Sequence, residues 1–283
     1  MKRSYLYIVS LILLAFTLTS CRTSDEAITP ATETDGLLKI TEAANDSHII
    51  ELYSASGQMK LGYNDISLRI KNKATGEYEK NATLQWMPKM QMTTMAHACP
   101  HSEVTKKEAG SSLYSGYLVF QMPENETERW SLGITYTING SAYNVTVPLR
   151  VGSQAKKTVT SFVGTDGAKY VVAYIAPAMP KVAAQKITLG IWKMQDMMTF
   201  PVVNGYTIQL DPRMPGMGNH GSPNNVAATQ PQAGGFYQGT VNFTMTGYWK
   251  INLEMLNAEK TVIKGEPVTA ENPASSLYFE VEF

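Results

Sequence analysis

The amino-acid sequence predicts an all-β protein, two tandem immunoglobulin-like β-sandwiches behind a signal peptide and a flexible tether. Three observations predict it. Apolar residues alternate with polar ones in short runs from Ile49 to Phe283, and no helix-period run of useful length interrupts them. The second half also repeats the first: Pro100, Tyr114, Gly116, Phe120 and Met122 return as Pro223, Tyr237, Gly239, Phe243 and Met245, each 123 positions later. A duplication accounts for that spacing.

In chain order, Lys2 and Arg3 give a positive start, and Tyr5 to Phe16 is an apolar run short for a membrane span. Leu18-Thr19-Ser20-Cys21 then resembles a lipobox, whose cysteine is acylated and becomes the new N-terminus. On that reading residues 1–20 are a signal peptide and Cys21 is the lipidation site. The mature chain, about 260 residues, is held at a membrane of the cell envelope on its periplasmic or exterior face. An ordinary cleaved secretory signal with an incidental cysteine is the alternative. Residues 21–46, rich in Thr, Ala, Ser and acidic groups, read as a tether with a reach of roughly 30 Å. Ser24-Asp25-Glu26 resembles a short export signal of surface lipoproteins, or is simply solvated linker.

The first sandwich is expected over 47–152. Its strands are marked by Ile66, Leu68 and Ile70, by Leu118, Phe120 and Met122, by Trp130 to Tyr136, and by Tyr143 to Leu149. The second is expected over 160–283, with Ile187 to Ile191, Val241 to Met245, Trp249 to Met255 and Leu277 to Phe283. Polar Thr240, Asn242 and Thr244 between apolar neighbours leave one sheet face wet. The join falls near Gly152 to Thr160, where Gly, Ser, Gln and Lys break the pattern. Strands that end near Trp86 and Leu210 would leave two loops of about 30 residues, and loops of that length are usually functional.

Lys+Arg and Asp+Glu balance at 24 each, so no net field points to nucleic acid. With Cys21 acylated, Cys99 has no partner for an intramolecular disulfide. No nucleophile–base constellation, phosphate loop or His-Glu-x-x-His is present, and Asp211, just before Arg213 and Met214, reads as a turn residue rather than an acid, so no enzyme is expected.

Both long loops read Met-x-x-Met, then His, then Pro three residues later: Met92, Met95 and His97 in the first, Met214, Met217 and His220 in the second. Two thioethers and an imidazole suit copper(I), because these neutral donors need no deprotonation and survive an oxidising compartment. If extended, His97-x-Cys99-x-His101 would put three donors on one side, a set that could instead favour zinc or copper(II). Strand parity, with a turn at Asn204-Gly205, puts Met194 and Met197 beside Met214 and Met217. The structural alternative is that these methionines fill gaps beneath the loops. Met122 and Met245, in phase with core phenylalanines, read as packing.

The run from Tyr170-Val-Val-Ala-Tyr-Ile175 through Met214-Pro-Gly-Met217-Gly-Asn-His220, Tyr237-Gln-Gly239 and Gly247-Tyr-Trp249-Lys-Ile251 resembles the YtkA-like/FixH-like domain family. The first half is similar through Met92 to His101, Tyr114-Ser-Gly116 and Trp130, with a deletion between Met95 and His97. The resemblance implies small extracytoplasmic sandwiches, some tied to copper handling or oxidase assembly, and Met214, Met217 and His220 as ligands. The resulting expectation is a lipid-anchored copper protein that sequesters the ion or passes it to a protein partner. Its rivals are a metal-free surface interaction lipoprotein and an accessory subunit of a respiratory or efflux complex.

Overall fold

The computed structural model describes residues 32–283. The signal peptide, the lipobox, Cys21 and the export-signal tripeptide lie outside the described residues. In the first half the period-2 runs form β1 (Leu38–Ala44), β2 (His48–Ser54), β3 (Met59–Lys60), β4 (Gly62–Asn72), β5 (Thr83–Gln91) and β6 (Ala96–His97). They continue as β7 (Thr105–Lys106), β8 (Tyr114–Phe120), β9 (Arg129–Ile138), β10 (Ser141–Pro148) and β11 (Val151–Gly152). The second half holds β12 (Val159–Val163), β13 (Lys169–Ala176), β14 (Ala183–Lys193), β15 (Thr207–Met214) and β16 (His220–Gly221). It ends with β17 (Val226–Thr229), β18 (Tyr237–Phe243), β19 (Tyr248–Leu256), β20 (Val262–Lys264) and β21 (Leu277–Glu282). Among the described residues no helix is long and apolar enough to cross a membrane.

The two halves share a strand order. One sheet of the first half runs β1-β2-β4-β8-β7 and the facing sheet β10-β9-β5-β6. The second half repeats both as β12-β13-β14-β18-β17 and as β15 flanked by β16 and β19, with β21 on the far side of β19. Here β17 also pairs with β15, which joins the two sheets at one edge. Each pair of sheets closes over its own core, the aligned sandwich of an immunoglobulin-like fold. Trp130 and Trp249, each at most 1% exposed, sit at corresponding places. Their indole N–H groups donate to the Met122 and Met245 carbonyls, both at 3.0 Å, while Phe120 and Phe243 pack on the rings. Met122 and Met245 pack partly buried against the two cores, as their phase predicts.

The repeated Tyr and Gly have structural work as well. Tyr114 accepts a hydrogen bond from the Ala82 N–H, and Tyr237 from the Tyr206 N–H, so each pins the residue that enters the central strand of the facing sheet. Gly116 and Gly239 face a chain that crosses too closely for a side chain. A Cβ on Gly116 would lie 2.6 Å from Trp86 and Ser102, and one on Gly239 would lie 2.6 Å from the Val226 carbonyl.

Three expectations are corrected. The tether does not run to residue 46, because Leu38–Ala44 is strand β1, paired to β2. Lys39 there reaches Glu51 at 2.8 Å, and Tyr53 and Tyr78 also donate to that carboxylate. The strands expected to stop near Trp86 and Leu210 continue to Gln91 and Met214 through Pro88 and Pro212. A proline inside a run reads as its end, yet Pro88 pairs only with Leu132 of β9, and at Pro212 the missing N–H falls on the flank of Ser222, whose carbonyl accepts the Asn225 amide at 2.6 Å instead. Asp211, expected in a turn, lies within β15 and holds Arg213 at 2.7 and 3.0 Å. The long loops therefore contain short strands of their own.

The join is ordered too. β11 pairs in parallel with β3, and the Lys157 N–H donates to Glu280 at 2.8 Å. A third apolar cluster locks the halves: Ala98 and Val119 from the first meet Val171, Ala173, Trp192 and Phe200 from the second. The Trp192 indole donates to the Tyr117 hydroxyl at 3.3 Å.

Replacing Gly239 with Ala should cost roughly 1–3 kcal/mol, because the obstacle is backbone that cannot move aside, and chemical denaturation will measure the loss. Burial alone would raise the Glu51 pKa, but hydrogen bonds from Lys39, Tyr53 and Tyr78 outweigh it and hold the carboxyl below the usual range. A depressed folded-state pKa makes this contribution full at neutral pH and lost as pH falls through that lowered value. Stability of Glu51→Gln should accordingly depend less on pH than that of the unsubstituted chain below about pH 4, as read from Tm against pH.

Candidate metal centre

Each half carries a hairpin at the end of its central strand. In the first half β5 and β6 pair Met90 with His97, and in the second β15 and β16 pair Met214 with His220. Directly opposed residues of an antiparallel ladder share a face, with Cβ atoms about 5 Å apart. Met90 lies next to Trp130 in the pairing register, and His97 sets the edge of its ring on Trp130 at 5.4 Å.

The structural partner of Met214 is thus Met90, and the expected match of Met92 with Met214 slips by two residues. The first hairpin has one residue more between its Met and His, an insertion where a deletion was expected. Pro88-Lys89-Met90 against Pro212-Arg213-Met214 is the sequence signal that marks the correct alignment.

The second hairpin gathers its three candidates. Met214, 5% exposed, closes the core, and Pro215–Met217 forms a single 3-10 turn that leaves Met217 58% exposed. Gly218 and Asn219 adopt the left-handed backbone (φ 63° and 59°) that returns the chain, and Asn219 is anchored to the Pro273 carbonyl at 2.9 Å. His220 is exposed, with no hydrogen-bond partner among the described residues. A thioether at the core boundary, a thioether on the turn and a free imidazole thus share one short segment, a donor set that fits copper(I).

The first hairpin differs. Met92 packs partly buried against the core and its N–H donates to the Met95 carbonyl at 2.9 Å, while Met95 is half exposed. His97 is nearly buried. Its Nδ1 lies 2.8 Å from the Ala98 carbonyl, which can only accept, so Nδ1 carries the proton and Nε2 keeps the lone pair. His101 is set the same way by the Cys99 carbonyl at 2.8 Å.

The expected His97, Cys99 and His101 set is not assembled. The segment alternates as predicted, with Ala98 in the contact between the halves and Cys99 in the first core. Cys99 is therefore enclosed in packed hydrocarbon, while His101 is half-buried. Among the described residues no three His, Cys, Asp or Glu side chains come together to hold a metal. Burial pushes the Cys99 thiol far up from its ordinary pKa, so it is no thiolate donor. His48, the remaining histidine, is an internal strut between Tyr136 and Tyr143.

Met194 and Met197 do not lie beside Met214 and Met217. They follow the end of β14, level with the start of β15, and Met214 lies at the other end of that strand, roughly 24 Å away. The Met197 carbonyl instead accepts the Ala98 N–H at 2.8 Å. This loop belongs with the hairpin of the first half.

Fold and hairpins define a tandem β-sandwich protein with methionine- and histidine-bearing turns. A model of the YtkA-like family matches residues 176–254, which span β14 to β19 and include the second hairpin. No curated protein matches the chain. Among solved structures it is similar to the Escherichia coli adhesin FdeC, at 12% identity over 81% of each chain and a TM-score of 0.24. It is also similar to the D00-D0 domain of intimin, at 11% identity over 76% of this chain and 95% of that one and a TM-score of 0.21. A chimeric titin Z1Z2 tandem shares 11% identity over 80% and 92%, with a TM-score of 0.18. Likenesses this loose carry no functional argument.

In a chain carrying Cys21→Ser, Cys99 should resist a thiol-directed reagent at pH 8 while folded and react with one equivalent once guanidinium unfolds it. Reaction of the folded chain at the unfolded rate would show the thiol to be open.

Proposed function

We propose that this protein is a lipid-anchored copper(I)-binding protein of the cell envelope that takes up the ion through the hairpin Met214, Met217 and His220. The observation that carries this reading is the cross-strand pair of Met214 and His220 closed by a turn that exposes Met217. The register of β15 and β16 sets Met214 opposite His220 on the backbone, which supports this reading because part of the ordering that binding requires is in place beforehand. Two of the three donors are open to solvent, which favours handing the ion to a partner protein over permanent storage. The matching strand order supports reading the first half as a second, diverged YtkA-like or FixH-like unit. The lipobox supports anchorage through acylated Cys21.

A metal-free interaction role is the second reading. It is favoured by Met179, 87% exposed, and Val182, 50% exposed, on the connection between β13 and β14. One titration separates the two. With the full chain competing against a copper(I) chelator, Met217→Leu and His220→Gln should each weaken binding about tenfold or more, with Tm unchanged because both positions are exposed. Equal affinity in both variants and the unsubstituted chain would remove copper from the second hairpin.

A further inference from the structure

We infer that the junction between the two halves is a separate soft-metal site, built from Met95 and His97 of the first half and Met197 of the second. It shares with the preceding proposal only the choice of copper(I), and it needs no ion in the second hairpin.

The backbone supplies the first part of the argument. The Ala98 N–H to Met197 carbonyl bond of 2.8 Å makes these two segments neighbours. Chains joined by such a bond run about 5 Å apart, so the Met197 side chain starts within its own length of His97. Met95 and His97 are two residues apart on the extended approach to and along β6, so they leave the chain on the same side.

The side chains supply the second part. The loop after β14 carries Met194, Met197 and Met198, and these three do not share one fate. Met194 and Met198 pack into the cluster between the halves, whereas Met197 is 37% exposed. The loop is held in shape by the Asp196 carboxylate, which accepts the Met198 N–H at 2.7 Å, and by the Gln195 N–H to Thr199 carbonyl bond at 3.0 Å. Met95 is 51% exposed. Two exposed thioethers thus belong to the segments that adjoin His97, whose imidazole is 9% exposed and has one committed nitrogen. A backbone carbonyl that fixes the Nδ1 proton leaves Nε2 as the donor, the arrangement that orients metal-binding imidazoles. If these methionines served packing alone, the half-buried cluster beside them would be their place.

A site split between the halves has a consequence for regulation. An ion bound there adds a cross-link to a contact that otherwise rests on apolar packing and on hydrogen bonds such as those of the Trp192 indole and the Ala98 N–H. Copper would then stiffen the two sandwiches against each other.

The test uses the full chain with methyl-13C methionine, copper(I) as the probe, and stoichiometry against a chelator. Met197→Leu conserves volume at a partly exposed position, so the fold should persist. The unsubstituted chain should bind two equivalents, and the Met95 and Met197 methyl signals should move together on titration. Met197→Leu should weaken one equivalent about tenfold or more and leave the Met217 signal responding as before. The double variant Met217→Leu, His220→Gln should lose the other equivalent and keep the Met95 and Met197 shifts. If Met197→Leu binds as much copper(I) as tightly as the unsubstituted chain, the junction site is refuted. If the chain binds one equivalent and only the double variant loses it, the junction fails while the second hairpin stands. Loss confined to Met197→Leu would support the junction and overturn the hairpin.

Discussion

The constraint on which the rest depends is the satisfied burial of one tryptophan per sandwich. An indole N–H enclosed without a partner costs about as much as a lost hydrogen bond, so Trp130 and Trp249 can occupy the cores only because the Met122 and Met245 carbonyls receive them. That bond ties the connection after β8 or β18 to the start of β9 or β19. It also fixes where the facing strand ends, since Met90 pairs with Trp130 and Met214 follows Arg213, the partner of Lys250. The Met/His hairpins therefore begin at a point set by core packing, and His97 rests on the same indole.

From this shared frame the two hairpins diverge through their neighbours. The second hairpin stands free, so Met217 and His220 meet water. The first is covered by the other half, so Ala98 becomes interface and His97 is nearly enclosed. The same strand order thus leaves one hairpin open and the other shielded. The contact between halves also gives Met197, a residue of the second unit, its position beside the first.

Much of this was legible in the sequence where it depends on periodicity. Ile66 to Ile70, Trp130 to Tyr136 and Trp249 to Met255 are strands, and the shared Tyr and Gly mark corresponding turns and crossings. The errors arose where local rules meet tertiary exceptions. Pro88 and Pro212 read as strand ends, yet a ring that lacks an N–H costs nothing on a flank where no neighbour asks for one. That misreading hid the equivalence of Met90 and Met214. The alternation of His97, Cys99 and His101 puts three donors on one side if the segment is extended, but no periodicity says whether a side chain such as Cys99 faces solvent or hydrocarbon. Strand parity could not place Met194 and Met197, because their neighbour is the other sandwich.

The sequence by itself determined the class of fold, the 123-residue spacing of its repeated residues and the chemical character of the methionine- and histidine-bearing turns, since each is a property of residue type and spacing along one chain. Tertiary structure decided which donors meet. Cys99 was withdrawn into the core, Met214 and His220 were paired by register, and Met197 was placed in a loop at the end of β15 away from Met214. Each outcome depends on contacts between segments far apart in the chain, and those are fixed by burial and pairing geometry that no local pattern encodes.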